Sequence, residues 1–181
     1  MSAPPALTVS LRACWRRLGI AETLLAERGL PMYEEAFDLQ TAETGHDGRI
    51  HELTPTAAQA WSKMKAAAAA DAVPIFIVSA HRSISRQIEI FERKLAAGQS
   101  IAQILCVSAP PGCSEHHTGR AIDIGTVDSP PLEEVFETTP AFGWLEHHAA
   151  EFGFSLSYPR GNARGYDYEP WHWCFESTQS G

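Results

Sequence analysis

At 181 residues, 44% hydrophobic and 20% charged, the chain has the size and make-up of one soluble globular domain, able to bury a core without staples. Its net charge of −8 excludes nucleic acid as a partner, because phosphate binding rests on grouped Lys and Arg. The only such group, Arg12, Arg16 and Arg17, reads as a solvated helix face.

Four cysteines (Cys14, Cys106, Cys113 and Cys174) form no Cys-x-x-Cys, which excludes a zinc ribbon or a redox pair and favours free thiols. Charged residues interrupt every apolar run between Met1 and Leu30, and no stretch approaches membrane-spanning length. As written, the sequence reads as a cytoplasmic protein without a signal peptide or membrane span. A protein released by lysis, or a processed form acting in the periplasm or at the cell wall, would read the same.

In chain order, a short Pro-containing lead precedes an amphipathic helix over Leu11 to Arg28, ended by Gly29 and Pro31. Residues 31–50 are mixed, with turn chemistry in Glu43-Thr-Gly-His-Asp-Gly48. Thr54 or Thr56 caps a helix running through the Ala-rich stretch to Ala70. Val73 to Ser79 is a β-branched strand, and Ile84 to Ala97 a polar helix with Ile88, Phe91 and Leu95 on one stripe. Ile101 to Leu105 is a short helix, and Ala109-Pro-Pro-Gly112 a rigid turn leading into Ser114. Strands follow at Arg120–Ile124, Phe154–Tyr158 and Glu169–Phe175, with a helix within Pro140–Gly153 and a Gly-rich loop at 160–166. The irregular alternation predicts an α+β fold with a small antiparallel sheet flanked by helices. It further predicts that 1–50 is an N-terminal helical extension packed on the same domain as 51–181.

Three clusters carry chemistry: Ser114-Glu-His-His-Thr-Gly-Arg-Ala-Ile-Asp123, Glu169-Pro-Trp-His172, and Ser79-Ala-His-Arg-Ser83 with Gln87 beyond it. A catalytic zinc uses three protein ligands drawn from His and carboxylates and keeps one position open. His116, Asp123 and His172 supply that set, and Gly119 lets the chain turn between the first two. Glu169 lies three residues before His172, a spacing that on a regular strand would send the two side chains to opposite faces. Pro170 argues against a regular strand there, so the carboxylate can serve as the base beside a metal. His46, His51, His147 and His148 read as surface or hydrogen-bonded residues. His117, adjacent to His116, points away from any shared metal. Trp144, Trp171 and Trp173 read as core or cleft wall. Spacing alone leaves a metal site and a set of hydrogen-bonded histidines as rival readings.

The pattern Ser-x-His-x-x-Gly-x-Ala-x-Asp at 114–123, the Glu-Pro-Trp-His at 169–172 and the Ser-x-x-Arg-Ser at 79–83 resemble, in order and spacing, the signatures of zinc D-alanyl-D-alanine carboxypeptidases. These are the vancomycin-resistance type, or hedgehog-like peptidases, and the likeness runs from Val73 to Phe175. The resemblance implies that His116, Asp123 and His172 bind one Zn²⁺, that Glu169 is the general base, and that Arg82 steadies the oxyanion or the substrate carboxylate. It implies substrate-binding roles for Arg82, Ser114 and Gln87, and a sheet of four antiparallel strands. Its expected substrates are peptidoglycan stem peptides or muropeptides, cut by a monomeric D,D-carboxypeptidase. An L,D-carboxypeptidase in peptide recycling, a phage-lysin endopeptidase and a catalytically silent binding module are the alternatives. His81, His117 and Cys174 depart from the family's usual residues and bear on substrate preference.

Overall fold

A computed structural model describes residues 5–176. Helices α1 (Pro5–Leu18) and α2 (Glu22–Glu27) open the chain. One continuous helix over Leu11–Arg28 was the expectation. Instead Gly19, at φ +77°, closes α1, with Ile20 N–H donating to Trp15 O and Gly19 N–H to Arg16 O. That pair of bonds is a Schellman closure, which glycine permits without a Cβ clash, and Gly29 repeats it after α2.

Strands β1 (Gln40–Thr44) and β2 (Ile50–Leu53) form an antiparallel hairpin around the turn chemistry at 43–48. The sequence reading named the turn and missed its short, half-polar flanks. Helix α3 (Pro55–Ala70) follows Thr54, strand β3 spans Phe76–Ser79, and α4 (Ile84–Ala96) is capped by the Ser83 hydroxyl accepting from Arg86 N–H. Helix α5 (Ile101–Val107) begins in a Ser100–Gln103 capping box. After a 3₁₀ turn at Glu115–Thr118 come β4 (Ala121–Gly125), α6 (Pro140–His148), β5 (Phe154–Leu156) and β6 (His172–Phe175).

The main sheet is antiparallel in the order β3-β4-β6-β5. Its alternation sorts the two faces: Ile122, Ile124 and Trp173 point to a core shared with Trp61 and Met64 of α3 and Leu145 of α6, while Asp123 and His172 take the opposite face. Register pairs Asp123 with both Ser79 and His172, so the chemistry-bearing residues of three strands lie level. A second core, built from Leu11, Trp15, Leu18 and Ile20 with Phe91, Ile104, Leu105, Tyr158 and Tyr166, covers that other side. Leu11, Trp15, Leu18, Ile20 and Leu30 of the amino-terminal segment are thus part of this second core. Among the described residues no helix is long and apolar enough to cross a membrane.

Candidate metal centre and cleft

The 3₁₀ turn carries His116 and the middle of β4 carries Asp123. Between them Gly119 sits at φ +63°, where an added Cβ would come within 2.8 Å of Leu39. His172 opens β6, and Glu169-Pro170-Trp171 forms a turn before it, closed by His172 N–H donating to Glu169 O at 3.0 Å. This irregular approach brings Glu169 Oε2 to 3.8 Å from His172 Nδ1, where a regular strand would have parted them.

One ligand atom each from His116, Asp123 and His172 lies within 4.8 Å of the others, and all three residues are buried. His116 Nδ1–H donates to Ala80 O at 2.7 Å, leaving Nε2 as the lone pair, 3.3 Å from Asp123 Oδ2. His172 faces Asp123 Oδ1 through Nδ1 at 3.0 Å, while its Nε2 meets Glu115 Oε2 at 3.1 Å. Glu115 Oε2 also accepts from Ser157 Oγ at 2.6 Å. Each imidazole is therefore oriented through one nitrogen and offers the other to the same point. That arrangement fixes the tautomer of a metal-ligating histidine. The donor set fits a zinc site with an open position.

Electrostatics agree with a place prepared for a cation. Burial alone would raise Asp123, yet the adjacent His116 and His172 hold it far below the ordinary carboxylate range. Burial would lower His172, but Asp123 and Glu115 outweigh it and hold it up to about 10. A proton on His172 thus does what a metal ion does, balancing two buried carboxylates. Burial would also raise Glu115, which His172 and Ser157 bring down to about 2. Glu169 behaves oppositely: burial, with Asp123 nearby, pushes it up to about 7 against the pull of His172 and Arg82. A carboxyl poised there suits proton transfer.

Arg82 Nη1 donates to Gln87 Oε1 at 2.9 Å, and Nη2 lies 3.5 Å from Ser79 Oγ and 3.9 Å from Asp123 Oδ2. Gln87 is fully buried and its Nε2 donates to Ala109 O at 2.7 Å, so both ends of its amide are engaged within the protein. Ser114 is buried against the cleft wall. The cleft, about 770 Å³, has His116, Asp123, Glu169 and His172 among its lining, with Tyr158 and Trp171 beside them.

Sequence reasoning missed two contributors, and it turned a third, His117, away from the metal without finding its job. Glu115 lies inside the first cluster, but its partners are 42 and 57 residues away and nothing local announces them. Tyr158 lays its ring against His172, centroids 4.7 Å apart. His117, fully buried, donates Nδ1–H to Arg82 O at 2.6 Å and accepts Gly112 N–H at Nε2, 3.1 Å away. Burial brings it down to about 4, so it is a neutral strut between the Arg82 backbone and the Pro-Pro-Gly turn. Two histidines read as surface or hydrogen-bonded residues lie apart from the site: His147 contacts Gly143 O, and His148 pairs with Glu151 on the surface. The four cysteines are free.

This sheet with a His-Asp-His group on the face opposite its main core is the fold of the hedgehog-like peptidases. The structure of the LdcB LD-carboxypeptidase is 31% identical with a TM-score of 0.71, covering 80% of this chain and 71% of that one. The vancomycin-resistance D,D-pentapeptidase VanY of the VanB-type cassette, solved in complex with Zn(II), is 26% identical with a TM-score of 0.61, covering 82% and 88%. Residues 50–178 match the VanY family of D-alanyl-D-alanine carboxypeptidases, and the chain belongs to that family. YodJ of Bacillus subtilis is 36% identical over 120 residues, 64% of this chain and 43% of that protein. A D-alanyl-D-alanine carboxypeptidase of Enterococcus faecalis is 31% identical over 125 residues, 63% of this chain and 44% of its own length. The chain thus spans less than half of either of these curated relatives.

Proposed function

We propose that the chain is a zinc-dependent D,D-carboxypeptidase that removes the terminal D-alanine of peptidoglycan stem peptides. The observation that carries this is the convergence of His116, Asp123 and His172 on one point, with Glu169 at 3.8 Å from His172. The one His-Asp-His group among the described residues supports one zinc per chain, and a monomer is the state proposed for the enzyme. Zinc held there would supply Lewis acidity, polarising the scissile carbonyl and making water acidic enough to deprotonate near neutral pH.

The protein's own groups supply the rest. Glu169, raised to about 7, takes a proton from the attacking water and returns it to the leaving amine of D-alanine. Arg82 stabilises negative charge developing on the carbonyl oxygen, as an always-charged planar donor does in a water-poor site. Gln87 acts through Arg82, holding the guanidinium against the Ala109 carbonyl segment, and Ser114 offers its hydroxyl to the peptide from the cleft wall. Tyr158 and Glu115 hold His172 in orientation.

The likeness to LdcB favours a second reading within the same chemistry, cleavage of the L,D bond of a tetrapeptide. Mass spectrometry of defined pentapeptide and tetrapeptide, with and without a zinc chelator, separates the two. Chelator-sensitive loss of one alanine from the pentapeptide alone is the expected result, and loss from the tetrapeptide establishes the L,D reading. Both peptides left intact would overturn carboxypeptidase activity.

A further inference from the structure

The cleft is electrostatically unlike the rest of the molecule. Five of the 14 Lys and Arg residues line it (Arg49, Arg82, Arg86, Arg93 and Lys94), against two of the 22 acids, Asp123 and Glu169. Both acids belong to the reacting centre, so the remaining wall of this net-acidic protein is positive. Such a wall draws an anionic ligand.

The cations differ in what they are free to do. Arg49 pairs with Asp47 at 3.6 Å and Arg86 with Glu89 at 2.7 Å, both on the surface. Arg82 is engaged by Gln87 and lies near Asp123. Arg93 is exposed. Lys94 alone of the five is half-buried with no carboxylate within ion-pair distance among the described residues, and its Nζ donates to Ser108 Oγ at 2.7 Å. An ammonium has three N–H groups, so that bond leaves two for a ligand. Its position is fixed relative to the reaction centre, because α4 is tied twice to the same segment: Lys94 to Ser108, and Gln87, which holds Arg82, to Ala109.

We propose that Lys94 anchors the free C-terminal carboxylate of the substrate peptide and so makes the site an exopeptidase. This rests on the carboxypeptidase reading above. Burial and the nearby Arg82 charge weaken the Lys94 ammonium, and Glu169 supports it, so it feels the reacting groups and gains from an incoming carboxylate. A peptide continued by another residue, or ending in an amide, would set a neutral group against this cation. It would lose a charge-assisted bond that the free acid keeps.

The test compares stem pentapeptides ending in a free acid or an amide, using the zinc-loaded wild type, Lys94→Met and Lys94→Arg. Expected for Lys94→Met is a loss of about 10- to 100-fold in kcat/KM on the free acid, carried mainly by KM, against a much smaller change on the amide. Lys94→Arg should restore most of the free-acid preference. An equal loss on both substrates, or none on the free acid, overturns the anchor while leaving the carboxypeptidase reading intact. A wild type inert toward both peptides overturns both.

Discussion

At the scale of single residues, the centre is a balance of buried charges in which each histidine is aimed by what its other nitrogen touches. Glu115→Gln replaces an acceptor-only carboxylate with an amide and removes the charge facing His172 Nε2. Zinc affinity should fall about 10- to 100-fold, read by competition with a chromogenic chelator. His116→Ala should abolish bound metal, whereas His117→Ala should retain it and lose activity through a displaced Arg82 backbone. Metal analysis of the two purified proteins checks the assignment. Glu169→Gln should keep its zinc and lose about 10²- to 10⁴-fold in kcat, the usual contribution of a positioned proton carrier. The sign of the pH response follows from the same residue. Glu169 must be ionised to act and is raised from 4.5 to about 7, so kcat/KM should climb with pH. Bound metal adds a positive charge that lowers this carboxyl, placing the midpoint of the acid limb below about 7. A pH profile with no acid limb there would remove Glu169 from the role.

At the scale of elements, residues with chemically demanding jobs were legible, and residues whose partners lie far off in sequence were not. The triad and Glu169 were candidates because zinc accepts few donor types, and because Pro170 forbids the regular strand that would have parted Glu169 from His172, but it was the family resemblance, not the spacing, that set a metal site above hydrogen-bonded histidines. The hairpin of β1 and β2 was hidden by its polar residues, and the structure shows why they are polar. Glu43 on β1 accepts from Trp61 Nε1 at 3.0 Å and Ile77 N–H at 3.3 Å, and meets Lys65 Nζ at 2.9 Å. One carboxylate thereby joins the hairpin, α3 and β3. Trp61→Phe leaves part of that demand unmet and should cost about 1–3 kcal/mol in a denaturant melt. The break between α1 and α2 was also legible in principle, since Gly19 followed by Ile20 is a helix-stop pattern; the apolar stripe continuing beyond it masked the signal.

At the scale of the whole molecule, the family match begins at residue 50, yet the site depends on what precedes it. Trp15 Nε1 donates to Pro111 O at 2.8 Å, and Leu11 fills the space beside Gly112, where an added Cβ would approach within 2.7 Å. Tyr33 OH lies 3.4 Å from Glu115 Oε1. Removing residues 1–30 would expose Phe91, Ile104 and Leu105 and release the turn that leads into Ser114. The shortened protein should aggregate or melt well below the full chain, as thermal scanning would show.

The division into two cores also makes the molecule spectroscopically legible. Trp15 belongs to the second core, while Trp61, Trp144 and Trp173 lie in the first and Trp171 packs against it. A variant keeping Trp15 alone would emit from the wall formed by the amino-terminal helices, with no signal from the sheet. Its red shift on heating, set beside the loss of sheet dichroism in the same sample, would time the two halves against each other, and added zinc should bring the two transitions together.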